Sequence, residues 1–366
     1  MISRNVRIID PGMIEHNMRQ IRAFVPQHVK IMAVVKADGY GHGAFQTAKA
    51  SLRGGADMLA VASVSEGKQL REEGITVPVL VLGAVMESDV QEGVDQGLIL
   101  TVCSPDMVEL CQRASVSSGK QTEVHLKIDT GMGRIGVRTP EERDRIVEEI
   151  LRCDHIRLTG VFTHFADADG GEEGIRYTQA QFRRFKDMIA PLPDCLLKHC
   201  CNSAAIHRFP EMSLDMVRAG ISLYGYPPVP NALDLRPCMT WKAMVSHVKE
   251  LPPGEYVSYG RTYRNSRQAK VATITCGYGD GYHRAAGTDG YVLIHGKRAK
   301  IIGRICMDQL MADVTGIDRV SAGDEAVLIG KDGHETITAE DIARWADTIS
   351  YEILLSAGNR VERVFR

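Results

Sequence analysis

The sequence predicts an α/β chain: an N-terminal (β/α)8 TIM barrel over residues 1–232, then a β-rich domain over 233–366. Three observations predict it. Eight short apolar runs alternate with longer amphipathic stretches through the first 222 residues. Beyond a Pro-rich linker the pattern changes to two-residue alternation. A length of 366 residues, at roughly 150 per domain, allows about two domains.

The runs are IMAVVK (31–36), MLAVAS (58–63), VLVLG (79–83), LILTV (98–102), EVHLKID (123–129), LTGVFTHF (158–165), CLLKHCCN (195–202) and MVRAGIS (216–222). Most are rich in Val, Ile or Leu, the composition of strands buried on both faces. Helical stretches such as SVSEGKQLREEG (63–74) and PEERDRIVEEILR (140–152) separate them, with Ser65 and Pro140 as entry signals. Eight such units in about 220 residues match a closed parallel barrel. An open doubly wound sheet is the competitor, but no GxGxxG follows the first strand. PPVPNALDLRP (227–237) reads as a linker. Past it, TWKAMVSHVKEL (240–251), AKVATITC (269–276), GYVLIHGKRAKIIGRI (290–305) and EAVLIG (325–330) read as antiparallel strands. One late helix, TAEDIARWADT (338–348), is capped by Thr338, with Glu340 and Asp341 in its first turn.

Composition removes several classes of function. With 44 basic and 46 acidic residues the net charge is −2, so no bulk positive field recruits nucleic acid. No apolar run approaches the roughly 18 residues of a membrane span. MISRNVRIIDPG has no apolar core ending in a small-residue cleavage site, so a cytoplasmic protein is expected. Nine cysteines with no CxxC pair suggest neither a disulfide framework nor a zinc ribbon. They read as small buried hydrophobes in a reducing cytosol, and no metal is expected.

A barrel carries its chemistry just past the C-terminal ends of its strands. The first run ends in Lys36 and enters ADGYGHG. A half-buried lysine is costly because desolvation disfavours its charge; it either snorkels to solvent or forms a covalent link to a carbonyl. Asp38, Tyr40 and His42 are polar support or solvated turn residues. The fifth strand ends in Lys127 and Asp129 and opens into TGMGRIG, where Arg134 can fork onto a carboxylate or phenolate. His164 closes the sixth strand, Asn202 and Ser203 the seventh, and Arg218, Gly220 and Ile221 the eighth. The last two loops are the recurrent phosphate site of this architecture. A phosphate-bearing anionic cofactor beside a lysine is the setting of pyridoxal 5'-phosphate (PLP). In the second domain SYGRTY (258–263), CGYGDGY (276–282) and RICMDQ (304–309) are, by spacing alone, strand and turn fragments.

AVVKADGYGHG (33–43), HLKIDTGMGRIGV (125–137), FTHFADAD (162–169), CCNSAA (200–205), RAGISLYG (218–225), VSYGRTY (257–263), CGYGDGY, RICMDQ and YEIL…GNRVERVF (351–365) together resemble bacterial alanine racemases, almost end to end and in order. The resemblance implies a fold-type III PLP enzyme, an isomerase, working as a head-to-tail homodimer. Lys36 would carry PLP and act as one base, and Tyr259 of the other subunit would be the opposite base. Arg218 would face the pyridine nitrogen, and His164 would bridge Arg218 and that tyrosine. Arg134 would contact the phenolate and the substrate carboxylate, with the backbone at Met307 of the other subunit as a second carboxylate contact. Tyr40, Ser203, Gly220, Ile221 and Tyr351 would hold the phosphate, with Asn202 beside them. Tyr351 and Tyr278 would narrow the entrance to favour a methyl side chain. Many members carbamylate the lysine equivalent to Lys127, so a carbamate is expected here. The chain has Gly279 where the family commonly has alanine, and Leu355 where cysteine is common.

The activity so implied is interconversion of L- and D-alanine, supplying D-alanine for peptidoglycan. A decarboxylase of basic amino acids is disfavoured because such enzymes resemble this chain around the lysine but not at SYGRTY or RICMDQ. A racemase of broader specificity, acting on serine or larger side chains, is separated only by the entrance tyrosines. A non-catalytic PLP-binding barrel would lack the second domain and Tyr259.

Overall fold

A computed structural model describes residues 4–230 and 233–366. The chain divides into two compact units: Gly12–Gly39 with Gly43–Arg236, and Pro237–Arg366 with Tyr40–His42 and the N-terminal segment through Pro11.

In the first unit eight strands close a barrel in chain order: β2 (Lys30–Val34), β3 (Met58–Val61), β4 (Val79–Val81), β5 (Ile99–Val102), β6 (Thr122–Lys127), β7 (Ile156–Phe162), β8 (Leu197–His199) and β9 (Met216–Ala219). Each pairs in parallel with the next, and β9 returns to β2 with Met32 opposite Arg218. Each of these eight apolar runs therefore becomes a strand, though a shorter one, and the polar residues that end several of them, among them Lys36, Asp129 and His164, lie beyond the ladder. Ile31, Leu59, Leu80, Leu100, Leu126 and Val217 are completely buried, and Leu100 packs against Gly93 of the outer helix Glu87–Asp95, in the layer between strands and helices. Fully burying one such side chain is worth about 1.5–3 kcal/mol.

Helix entry differs at one point from expectation. Ser63, not Ser65, caps the helix Val64–Glu72, accepting from Glu66 N at 3.4 Å. The Ser-x-x-Glu spacing decides this, since Glu66 turns back to accept from Ala62 N at 2.7 Å. Pro140 begins its helix as expected, behind a Thr139–Glu142 capping box, and Thr338 forms another with Asp341.

The second unit is a nine-stranded sheet whose long member, β10 (Met239–Leu251), pairs with three strands. One of them is β1 (Asn5–Ile9), antiparallel to β10 and parallel to β19 (Glu362–Phe365). The first residues of the chain, read in sequence as part of the barrel segment, thus complete the other unit's sheet. Trp241 Nε1 donates to Asn5 Oδ1 at 2.6 Å and fixes the register. Between β10 and β19 lie a small β11–β12 hairpin (Tyr256–Val257, Tyr263–Arg264), then β13 (Ala269–Ile274), β14 (Tyr291–Ile294), β15 (Lys297–Ile301), β16 (Leu310–Asp313), β17 (Glu325–Asp332) and β18 (Glu335–Ile337). The run 290–305 is a hairpin rather than one strand, turning at His295 and Gly296, both at positive φ. No helix among the described residues is long and apolar enough to cross a membrane.

Candidate active site

Lys36 sits two residues past the end of β2, half-buried. The chain leaves it through an unusual left-handed turn, with φ of 51°, 51°, 60° and 52° at Ala37, Asp38, Gly39 and Tyr40. Three of these are not glycine, and each L residue there costs about 1–2 kcal/mol, so the surroundings must enforce the conformation. They do. Ala37 N donates to Glu66 Oε1 at 2.6 Å, Ala44 N to Asp38 Oδ1 at 3.0 Å and Gly43 N to the Asp38 carbonyl at 2.8 Å. Burial, then the nearby Arg134 charge, hold the Lys36 amine below the usual lysine range, with Glu66 opposing.

Lys127 ends β6 and is 2% exposed; its Nζ donates to Ile128 O at 2.8 Å and lies 5.4 Å from the Phe162 ring centre. Burial first, then the Arg218 charge, push its pKa down to about 7. Arg134 rides the exposed loop beyond β6, which Asp129 shapes by accepting from Gly131 N and Gly133 N at 3.0 Å.

Arg218, on β9, is buried with acceptors on every side. It donates to the carbonyls of Thr163 and Cys200, both at 2.8 Å, to His199 Nδ1 at 2.9 Å and to His164 Nδ1 at 3.2 Å. None of these partners is a carboxylate. Arginine only donates, so both Nδ1 atoms accept and the His164 proton sits on Nε2. Burial and then Arg218 keep His164 well below the ordinary imidazole range, hence neutral. Asn202 caps the short helix Ser203–Arg208, accepting from Ala205 N at 3.0 Å. Ser203 Oγ accepts from Gly220 N at 2.9 Å and Ser222 N at 3.3 Å. With both acceptor positions used, its hydroxyl proton is left to donate, and Gly220 and Ile221 pass directly beside it.

The barrel unit thus gathers Lys36, Lys127, Arg134, His164, Asn202, Ser203, Arg218, Gly220 and Ile221 at its C-terminal end. Sequence reasoning missed Glu66, His199 and Phe162. The Ser-x-x-Glu spacing could have pointed to Glu66; nothing local marks the other two.

The β-unit holds the remaining candidates. Tyr40 is buried against Tyr351, ring centres 5.9 Å apart. Tyr259, Tyr278 and Met307 are respectively 69%, 43% and 53% exposed. One segment ties all three together. Ser258 Oγ donates to Arg304 O at 2.5 Å, Tyr278 N to Cys306 O at 3.1 Å and Gly279 N to Met307 O at 2.8 Å. Ser258 itself has φ 66°, so strain lies next to Tyr259. A Cβ on Gly279 would meet Met307 O at 2.9 Å, so this glycine lets the two backbones touch. Among the described residues no group of three His, Cys, Asp or Glu side chains could hold a metal ion.

An eight-stranded parallel barrel that gathers two desolvated lysines and a carboxylate-free buried arginine at the C-terminal ends of its strands has the layout of a barrel enzyme. Residues 9–228 match the model for the alanine racemase N-terminal domain and 238–365 that for the C-terminal domain; the chain belongs to the alanine racemase family. It is 44% identical to the alanine racemase of Halothermothrix orenii over 98% of this chain and 96% of that one. Among solved structures it superposes on alanine racemase from E. faecalis with a TM-score of 0.94 at 35% identity, covering 99% of this chain and 98% of that one. A histidine racemase from Leuconostoc mesenteroides is also similar, with a TM-score of 0.91 at 28% identity, covering 99% and 98%.

Proposed function

We propose that this chain racemises alanine with pyridoxal 5'-phosphate, using Lys36 and Tyr259 as bases on opposite faces of the substrate Cα. The carrying observation is the Arg218 site: a buried guanidinium bonded to two neutral histidines and two carbonyls, with no carboxylate. PLP, when bound, supplies an electron sink that acidifies the substrate Cα–H. The residues fit that group on three counts. Lys36 offers an amine shifted toward its neutral, nucleophilic form. Ser203 offers a hydroxyl donor pinned by two backbone amides beside Gly220 and Ile221, with Asn202 capping the helix there. Arg218 offers a cation that keeps a facing ring nitrogen unprotonated, which restrains side reactions by limiting how far charge spreads. Tyr40 and Tyr351 would complete the phosphate contacts.

Each proton is taken from one face of Cα and returned to the other, so two bases are required. Lys36 Nζ would serve one face and Tyr259 Oη, contributed by a second subunit, the other. The His164 proton on Nε2 would donate to the Tyr259 phenolate of the second subunit while Nδ1 stays on Arg218. Arg134 and the Met307 backbone would orient the substrate carboxylate, and Tyr278 with Tyr351 would limit side-chain size. The exposure of Tyr259, Tyr278 and Met307 on one unit supports a homodimer with shared sites. In this reading the enzyme is cytoplasmic and its D-alanine feeds peptidoglycan. The likeness to a histidine racemase favours one second reading, a pocket that admits larger side chains.

Subunit complementation tests the shared site. Lys36→Ala and Tyr259→Ala homodimers should each be inactive, and mixing them with subunit exchange should restore activity through one intact site per mixed dimer. No recovery from exchanged subunits would refute a site completed by Tyr259 of the second subunit.

A further inference from the structure

Two histidines inside the barrel stand behind Arg218: His199, which accepts from it, and His125 beyond. His125, on β6, and His199, at the end of β8, are completely buried. Room for them is made at the expense of regular structure. The β6–β7 register slips between Val124, which pairs with Leu158, and His125, which pairs with Gly160, leaving Thr159 as an extra residue. A Cβ at Gly160 would lie 2.6 Å from the His125 ring, so only glycine fits opposite it. The His199 ring stacks on Phe162 at 4.9 Å and 7°.

The hydrogen bonds run in one direction. Arg218 donates to His199 Nδ1 at 2.9 Å, and His199 Nε2 lies 3.1 Å from His125 Nδ1. Burial and then Arg218 keep His199 uncharged, and the same two causes push His125 down to about 3. A neutral His199 that accepts at Nδ1 must carry its proton on Nε2, and so donates to His125 Nδ1. The proton of His125 is then on Nε2, which has no hydrogen-bond partner among the described residues. An apolar side chain would fill this space without leaving a buried donor unpaired. The unpaired end of the chain is what its first link, the bond to Arg218, costs.

We propose that His125 is a positioning residue for Arg218: by accepting from His199 Nε2 it fixes the His199 tautomer whose Nδ1 receives the guanidinium. With the other tautomer an N–H would face an N–H, and Arg218 would turn away from His164 and the Thr163 and Cys200 carbonyls. The effect on catalysis rests on the racemase reading; the tautomer does not.

The test uses full-length protein labelled with 15N-histidine and two-bond 1H–15N correlation spectra, assigned with His125 and His199 variants. His199 is expected as the neutral Nε2–H tautomer, unchanged from about pH 6 to 9. His125→Leu removes the acceptor and should release His199 to a mixture of tautomers. It should also lower kcat for alanine about tenfold with little change in KM, the effect of one unpaired buried donor. His125→Asn, which keeps an acceptor near the same place, should recover the single tautomer and most of kcat. A wild-type His199 protonated on Nδ1, or titrating in that range, would overturn the proposal whatever the stability of the leucine variant. So would a tautomer indifferent to His125→Leu. An Nε2–H His199 in a protein that does not racemise alanine would leave the positioning intact and refute the enzymatic reading instead.

Discussion

Lys127 should be a carbon dioxide acceptor at mildly alkaline pH. Its pKa is pushed down to about 7 from 10.5, by burial first and the Arg218 charge second. At pH 8 about 90% of Lys127 is therefore free amine, against about 0.3% for an ordinary lysine. Free amine adds to carbon dioxide to give a carbamate anion and a proton. The anion would face Arg218 and Arg134, two of the charges that oppose the ammonium form. Linkage gives the sign without carbon dioxide. The folded pKa is depressed, so between about pH 7 and 10.5 the unfolded chain holds the extra proton and stability rises with pH across that window. The full penalty, on the order of 5 kcal/mol, is present below about pH 7. Bicarbonate at pH 8 should raise the melting temperature by about 1 °C or more, since at about 2.1 cal/mol/K per residue one kcal/mol shifts a 366-residue chain by about 1.3 °C. It should do little at pH 6, where the ammonium form prevails. Labelling with 13C-bicarbonate should give one carbamate carbon resonance that disappears in Lys127→Ala. No resonance, or one that survives the substitution, refutes the reasoning.

Three further outcomes follow from the site. Lys36→Ala should abolish both the long-wavelength absorbance of bound PLP and racemisation; retained absorbance would place the cofactor on another lysine. Tyr259→Ala should slow proton abstraction from L-alanine far more than it weakens PLP binding, because the side chain is 69% exposed on its own unit; loss of PLP would mark it as structural. Ser203→Ala should leave Gly220 N and Ser222 N unpaired and weaken PLP binding about 5- to 150-fold, the range of one lost buried hydrogen bond; equilibrium titration with PLP measures it.

The barrel was legible because eight apolar runs of strand composition recur at regular spacing, and strands such as Met58–Val61 and Ile99–Val102 are buried throughout. Strand β1 was not. NVRII is five residues long, and its partners Ala243 to Met239 lie more than 200 residues away, so no local periodicity reports the pairing. The same holds for the site. Lys36, Lys127, His164, Ser203 and Arg218 are polar residues at the ends of apolar runs, and that position is readable. His199 and Phe162 lie within such runs, and their contacts to Arg218 and Lys127 exist only once the barrel has closed. Tyr259 came from resemblance alone, since an exposed tyrosine beside a strained turn has no periodic signal.

The central claim is tested most directly by converting L-alanine to D-alanine with the purified protein, with and without added PLP, and with L-serine and L-histidine in parallel. The account predicts PLP-dependent racemisation of alanine well ahead of both larger side chains. A yellow, PLP-loaded protein that racemises none of the three would contradict it.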